Sequence, residues 1–70
     1  MEPPKRVLDA FLLAVLGNYV EIYYDPDLGY MFECRDTNCS ACPYLHHCKE
    51  GTYNPTIVEY VLANHPEVLL

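Results

Sequence analysis

The sequence predicts an α+β fold: a small metal-stabilised domain with an N-terminal helix, a β-hairpin, a cysteine loop and a C-terminal helix. Three observations lead there. An apolar, helix-forming stretch ends at Gly17. A run alternating in hydropathy is broken in its middle by Asp25-Pro26-Asp27-Leu28-Gly29. Four cysteines crowd into the interval from Cys34 to Cys48. A chain of 70 residues buries only about 60% of the surface that its unfolded form exposes. Residues 1–70 are therefore read as a single metal-binding domain whose core needs the help of a metal, a disulfide or a partner subunit.

The elements follow in order. Two prolines precede Lys5, strong helix formers run to Leu16, and Gly17 is the expected stop. The apolar residues Val7, Leu8, Ala10, Phe11, Leu12, Leu13, Ala14, Val15 and Leu16 cover nearly every side of that helix, too many for one stripe. Either the rest of the chain wraps it, or part of it meets a partner or a second copy, which leaves a homo-oligomer open. Tyr19 to Cys34 reads as the hairpin. Val20, Ile22 and Tyr24 alternate with Tyr19, Glu21 and Tyr23, and Tyr30 to Glu33 return the chain to Cys34. Proline presets φ early in the turn and glycine tolerates positive φ at its end. The tyrosines are expected to pair across the strands or to form a binding face.

Cys34 to Tyr53 is expected to be an irregular loop organised by its cysteines. Asn54 then reads as a helix N-cap with Pro55 at the first helical position. Ile57, Val58, Val61 and Leu62 share one face of that helix, leaving Glu59, Tyr60 and Asn64 more exposed, and Pro66 ends it. The apolar Val68-Leu69-Leu70 is expected to be packed.

Ten acidic residues against Lys5, Arg6, Arg35 and Lys49 give a net charge of −6. Binding to phosphate backbones relies on clustered Lys and Arg, so no direct nucleic acid binding is expected; a protein partner with a basic surface suits this field better. The apolar run from Ala10 to Leu16 is far shorter than the roughly 20 residues that span a bilayer, and nothing resembles a signal peptide. The expectation is a cytoplasmic protein without a membrane segment, and in a reducing compartment closely spaced cysteines are metal ligands more often than disulfides.

The ligand stretch runs Cys34-Arg-Asp-Thr-Asn-Cys39-Ser-Ala-Cys42-Pro-Tyr-Leu-His-His-Cys48, or C-x4-C-x2-C-x5-C. Both sulfurs of a C-x2-C pair can face one centre while the intervening amides donate to thiolate or sulfide. Structural zinc also takes four thiolates, usually from two short chelating pairs. Here one such pair sits in one continuous loop, an arrangement that suits a cubane cluster. Cys34, Cys39, Cys42 and Cys48 are thus read as the cofactor and metal ligands of a 4Fe–4S iron–sulfur cluster, with Zn2+ as the alternative and disulfides third.

The same run resembles the cluster loop of the endonuclease III and adenine DNA glycosylase family, whose pattern is C-x6-C-x2-C-x5-C, and Pro43 follows the third cysteine as it often does there. The first spacing is shorter here, no helix–hairpin–helix segment is present, and the resemblance implies a cluster and not a glycosylase. The Cys39 to Cys48 core is also similar to cluster-bearing nucleases of the CRISPR-associated and recombination-repair type. It is similar, too, to the WhiB-like iron–sulfur regulators, which bind a sigma factor; the tryptophan-containing turn and basic tail of those regulators are missing.

His46 and His47 read as solvated or as donors behind the cysteines, His65 as a favourable charge at a helix end, and Arg35 and Lys49 as counter-charges to thiolates or as solvated cations. Asp25 and Asp27 read as turn residues. No catalytic residues are expected, because no nucleophile–base pair, phosphate loop or carboxylate pair can be assembled. Three functions follow as expectations. The first is a regulatory or adaptor module binding a protein partner, of the transcription or nucleic-acid machinery. The others are an iron–sulfur electron carrier or redox sensor, and a zinc-stapled structural domain.

Overall fold

The computed structural model describes residues 2–35 and 39–69. Helix α1 (Lys5–Leu16) leads into strands β1 (Val20–Asp25) and β2 (Gly29–Cys34), followed by a 3-10 turn (Cys39–Ala41), helices α2 (Leu45–Glu50) and α3 (Ile57–Asn64), and a final 3-10 turn (Pro66–Leu69). The α+β layout of helix, antiparallel hairpin and C-terminal helix is as expected. The cysteine segment differs: it is not irregular throughout, because it contains α2. Six residues are too few for a periodic signal to show in sequence.

Helix α1 begins where the Pro4 carbonyl accepts the amides of Val7 (3.0 Å) and Leu8 (3.1 Å). The helix stops at Gly17 as expected, but the left-handed turn comes one residue later. Gly17 keeps an ordinary φ of −85°, and the left-handed residue is Asn18, at φ 65°. The Tyr19 amide then reaches the Ala14 carbonyl (2.9 Å) and the Asn18 amide the Val15 carbonyl (3.2 Å). This is the Schellman arrangement, in which asparagine is the usual substitute for glycine. The reversal sends β1 back beneath the helix.

One stripe of α1, Val7, Phe11 and Ala14, is buried against Ile57, Val58 and Val61 of α3, with Val20 and Tyr44 completing the core. Each large apolar side chain so buried contributes about 1.5–3 kcal/mol. The helix is not wrapped on all sides: Leu13 and Leu16 remain 57% and 62% exposed. Of the terminal apolar residues, Val68 packs on the core, Leu69 is exposed, and Leu70 lies outside the described residues.

The hairpin register pairs Val20 with Cys34, Glu21 with Glu33, Ile22 with Phe32, Tyr23 with Met31 and Tyr24 with Tyr30. The Asp25 carboxylate accepts the amides of Asp27 (2.8 Å) and Leu28 (3.2 Å), and Gly29, at φ 87°, closes the three-residue turn in the conformation that favours glycine. The carboxylate therefore acts as a turn former. The expected tyrosine pairing occurs once, between Tyr24 and Tyr30, with ring centres 5.1 Å apart.

Candidate metal centre

Three of the four cysteines line one small cavity from different elements. Cys34 ends β2 opposite Val20. Cys42 follows the 3-10 turn, and its carbonyl accepts the Leu45 amide at 3.1 Å. Cys48 stands on α2, where its amide donates to the Tyr44 carbonyl at 2.8 Å. Together they line a cavity of ≈ 20 Å³ whose other walls include Val20, Tyr44 and Leu45. Cys34 is exposed, whereas Cys42 and Cys48 are half-buried free thiols. The backbone of Cys39 opens the 3-10 turn; its side chain lies outside the described residues. Among the described residues, no three His, Cys, Asp or Glu side chains form a group that could hold an ion.

Tyr44 anchors this segment and was not singled out in the sequence. It is 0% exposed, and its ring meets Phe11 edge-on at 5.0 Å and Phe32 at 6.2 Å. Such edge-to-face pairs add about 0.5–1.5 kcal/mol to the burial itself. The phenol donates to the Asn54 side-chain oxygen at 2.8 Å, and the Asn54 amide nitrogen donates to the Cys48 carbonyl at 3.1 Å. The expected N-cap role of Asn54 is therefore corrected. Helix α3 starts at Ile57 without a side-chain cap, its lead-in held by the Tyr53 carbonyl, which accepts the amides of Thr56 (3.0 Å) and Ile57 (2.9 Å). Pro55 lies in that turn, ahead of the first helical residue. Asn54 instead ties Tyr44, Cys48 and the entry to α3 into one unit. Burial, and secondarily the charge of Cys48, push the Tyr44 phenol up to about 12.

Of the remaining candidates, the histidines and Arg35 have other partners. Exposed His46 lies 3.3 Å from Glu50, and His47 tilts against the Tyr44 ring at 5.9 Å; neither lines the cysteine cavity. Arg35 reaches Glu21 at 3.5 Å, Lys49 is exposed, and His65 pairs with Glu67 at 3.3 Å beyond α3. Gly51, at φ 73°, ends α2 and donates to the His47 carbonyl. The signal that could have found Tyr44 was an aromatic residue set between Cys42 and Cys48, where a loop exposed to solvent has no use for one.

Chemically, thiols at a strand end, after a 3-10 turn and on a short helix offer soft donors of the kind that zinc and iron–sulfur clusters take. The apolar wall of Val20, Tyr44 and Leu45 limits water on the inner side of the cavity, and such a shell tunes potential and affinity where a metal is held. Compared with family models, with curated proteins and with solved structures, the chain matches none.

Proposed function

We propose that this chain is a small acidic metal-centre protein in which Cys34, Cys39, Cys42 and Cys48 hold an iron–sulfur cluster, and that it acts as a regulatory or adaptor module by binding a protein partner of the transcription or nucleic-acid machinery. One observation carries the reading. Cys34, Cys42 and Cys48 open onto one cavity although they come from β2, a turn and α2. The cluster would supply a redox-sensitive, oxygen-sensitive staple. The protein's own part is to present the thiolates, to close the inner side with Val20 and Tyr44, and to hold α2 through Asn54. With so small a core, binding energy at such a centre is largely folding energy. The acidity and the exposed tyrosines support a protein-binding role.

Anaerobic purification tests the reading. A brown protein containing iron and acid-labile sulfide is expected, and co-purification of a defined protein is expected with it. A folded protein with four titratable thiols and no metal would refute it. The small cavity favours one alternative specifically: ≈ 20 Å³ is about the room of a single water-sized sphere, which suits a zinc ion without outward movement of the cysteine segment. A colourless protein with one equivalent of zinc would establish that alternative in place of the cluster. Reversible bleaching by dithionite without a protein partner would instead indicate an electron carrier.

A further inference from the structure

The hairpin carries both exposed apolar side chains and acidic ones. Among the described residues, the exposed large apolar side chains are Leu13, Leu16, Tyr23, Tyr24, Leu28, Tyr30 and Leu69. Four of these seven, Tyr23, Tyr24, Leu28 and Tyr30, belong to the hairpin. The same stretch from Val20 to Cys34 carries Glu21, Asp25, Asp27 and Glu33 and contains no Lys or Arg. On its open face the register sets Glu21 opposite Glu33, and Tyr23 opposite Met31 in the next row. Like charges directly opposite are destabilising in an antiparallel pair. Arg35 relieves Glu21 in part, at 3.5 Å, while Glu33 still faces it across the ladder. Beside this face runs an apolar groove of ≈ 320 Å³, lined by Tyr30, Met31 and Phe32 of β2 and by Asn54, Pro55 and Val58.

We infer that the hairpin is the docking surface, and that its occupant is a segment of a second protein in which Lys or Arg alternates with apolar side chains. The inference rests on the protein-binding reading above and names the chemistry of that partner. The basic side chains meet the Glu21–Glu33 row and the Asp25–Asp27 tip, and the apolar ones meet Tyr23 and Met31 and enter the groove. A second copy of this chain would bring acidic hairpin against acidic hairpin, and phosphates would be repelled in the same way. The leucine face of α1 carries no such complementarity.

The test uses the full chain with its centre loaded and a fluorescent peptide alternating lysine with leucine, read by anisotropy. The double variant Glu21→Lys/Glu33→Lys should weaken binding about tenfold or more, corresponding to about 1.4 kcal/mol. Glu50→Lys/Glu67→Lys makes the same charge change on α2 and at the C-terminal turn, and it should have a much smaller effect. The double reversal still sets like charges opposite each other and breaks the Arg35–Glu21 pair, so the single variant Glu33→Lys is the control. It turns the pair into an attractive one, should melt at or above the wild type and should still weaken binding, which separates lost binding from lost folding. Equal weakening by the two reversals would overturn the hairpin assignment while leaving the protein-binding reading standing. No binding of the peptide by any form, together with no protein co-purifying with the wild type, would overturn both. Dimerisation that the hairpin reversal abolishes would replace the proposed partner with a second copy.

Discussion

Among the described residues, two aromatic clusters have nearly the same geometry and opposite surroundings. Phe11 meets Phe32 and Tyr44 at 5.0 Å each, edge to face, and Tyr24 meets Tyr30 at 5.1 Å in the same manner. In the first cluster Phe11 and Tyr44 are fully buried beneath α1 and α3, whereas Tyr24 is 62% exposed. Phe32 and Tyr30 are two residues apart on one strand. Ring geometry therefore says little about what a cluster is for. The helices cover only the base of the hairpin, so the base belongs to the core and the tip lies outside it.

The largest effect is expected next to the inner cluster. Cys42→Ser, or Cys39→Ser, should leave the domain unfolded or strongly destabilised and unable to retain metal, as circular dichroism with metal analysis would show. If either variant melts like the wild type, the centre is not what holds the cysteine segment to the core. Next, Phe11→Ala should cost about 3–5 kcal/mol in chemical denaturation, since it empties a fully buried site.

Tyr44→Phe keeps the ring and removes the hydroxyl, and should cost about 1–2 kcal/mol near neutral pH by leaving Asn54 without its donor. Its pH dependence has a definite sign. The folded protein raises the phenol from 10 to about 12, so the neutral form is the one favoured by folding. That stability is fully present below pH 10 and is lost as pH rises through about 12. The wild type should thus lose about 2–3 kcal/mol across this window that Tyr44→Phe does not lose; parallel pH profiles for the two proteins would contradict it. The smallest effect belongs to the outer cluster. Tyr30→Ala should cost only about 0.5–1.5 kcal/mol, and a loss as large as that of Phe11→Ala would mean that the tip is part of the core after all.

Much of this fold was legible in residue order because its signals are local. Alternation from Val20 to Tyr24, with Asp25 and Gly29 at the turn, gave the hairpin, and the spacing of Ile57, Val58 and Val61 gave the buried face of α3. What was missed depends on long-range use of a side chain. Asn54 looks like a cap because its neighbours are Pro55 and Thr56, yet its side chain bonds Tyr44 and Cys48 instead. Tyr44 sits among cysteines and histidines with no periodicity to mark it as core. At the end of α1, Gly17 and Asn18 are both able to turn the chain, and sequence order does not say which one does. For the candidate site, the spacing of the cysteines marks the candidate ligands, but not the cavity wall or the strand end that delivers Cys34.

The Asn54 bridge bears on how tightly a metal could be held. It closes a loop between Tyr44 and Asn54 using only neutral hydrogen bonds, so in the folded chain the stretch bearing Cys48 is tethered by more than its thiol. Chelation by a floppy segment gives up the conformational entropy of every residue that it orders, about 1–2 kcal/mol each for the backbone. Here the Asn54 hydrogen bonds would share that cost with any ligand bonds, since both form as the chain folds. Asn54→Ala would therefore be read most directly in a competition titration with a chelator, as weaker retention of any metal the cysteines hold.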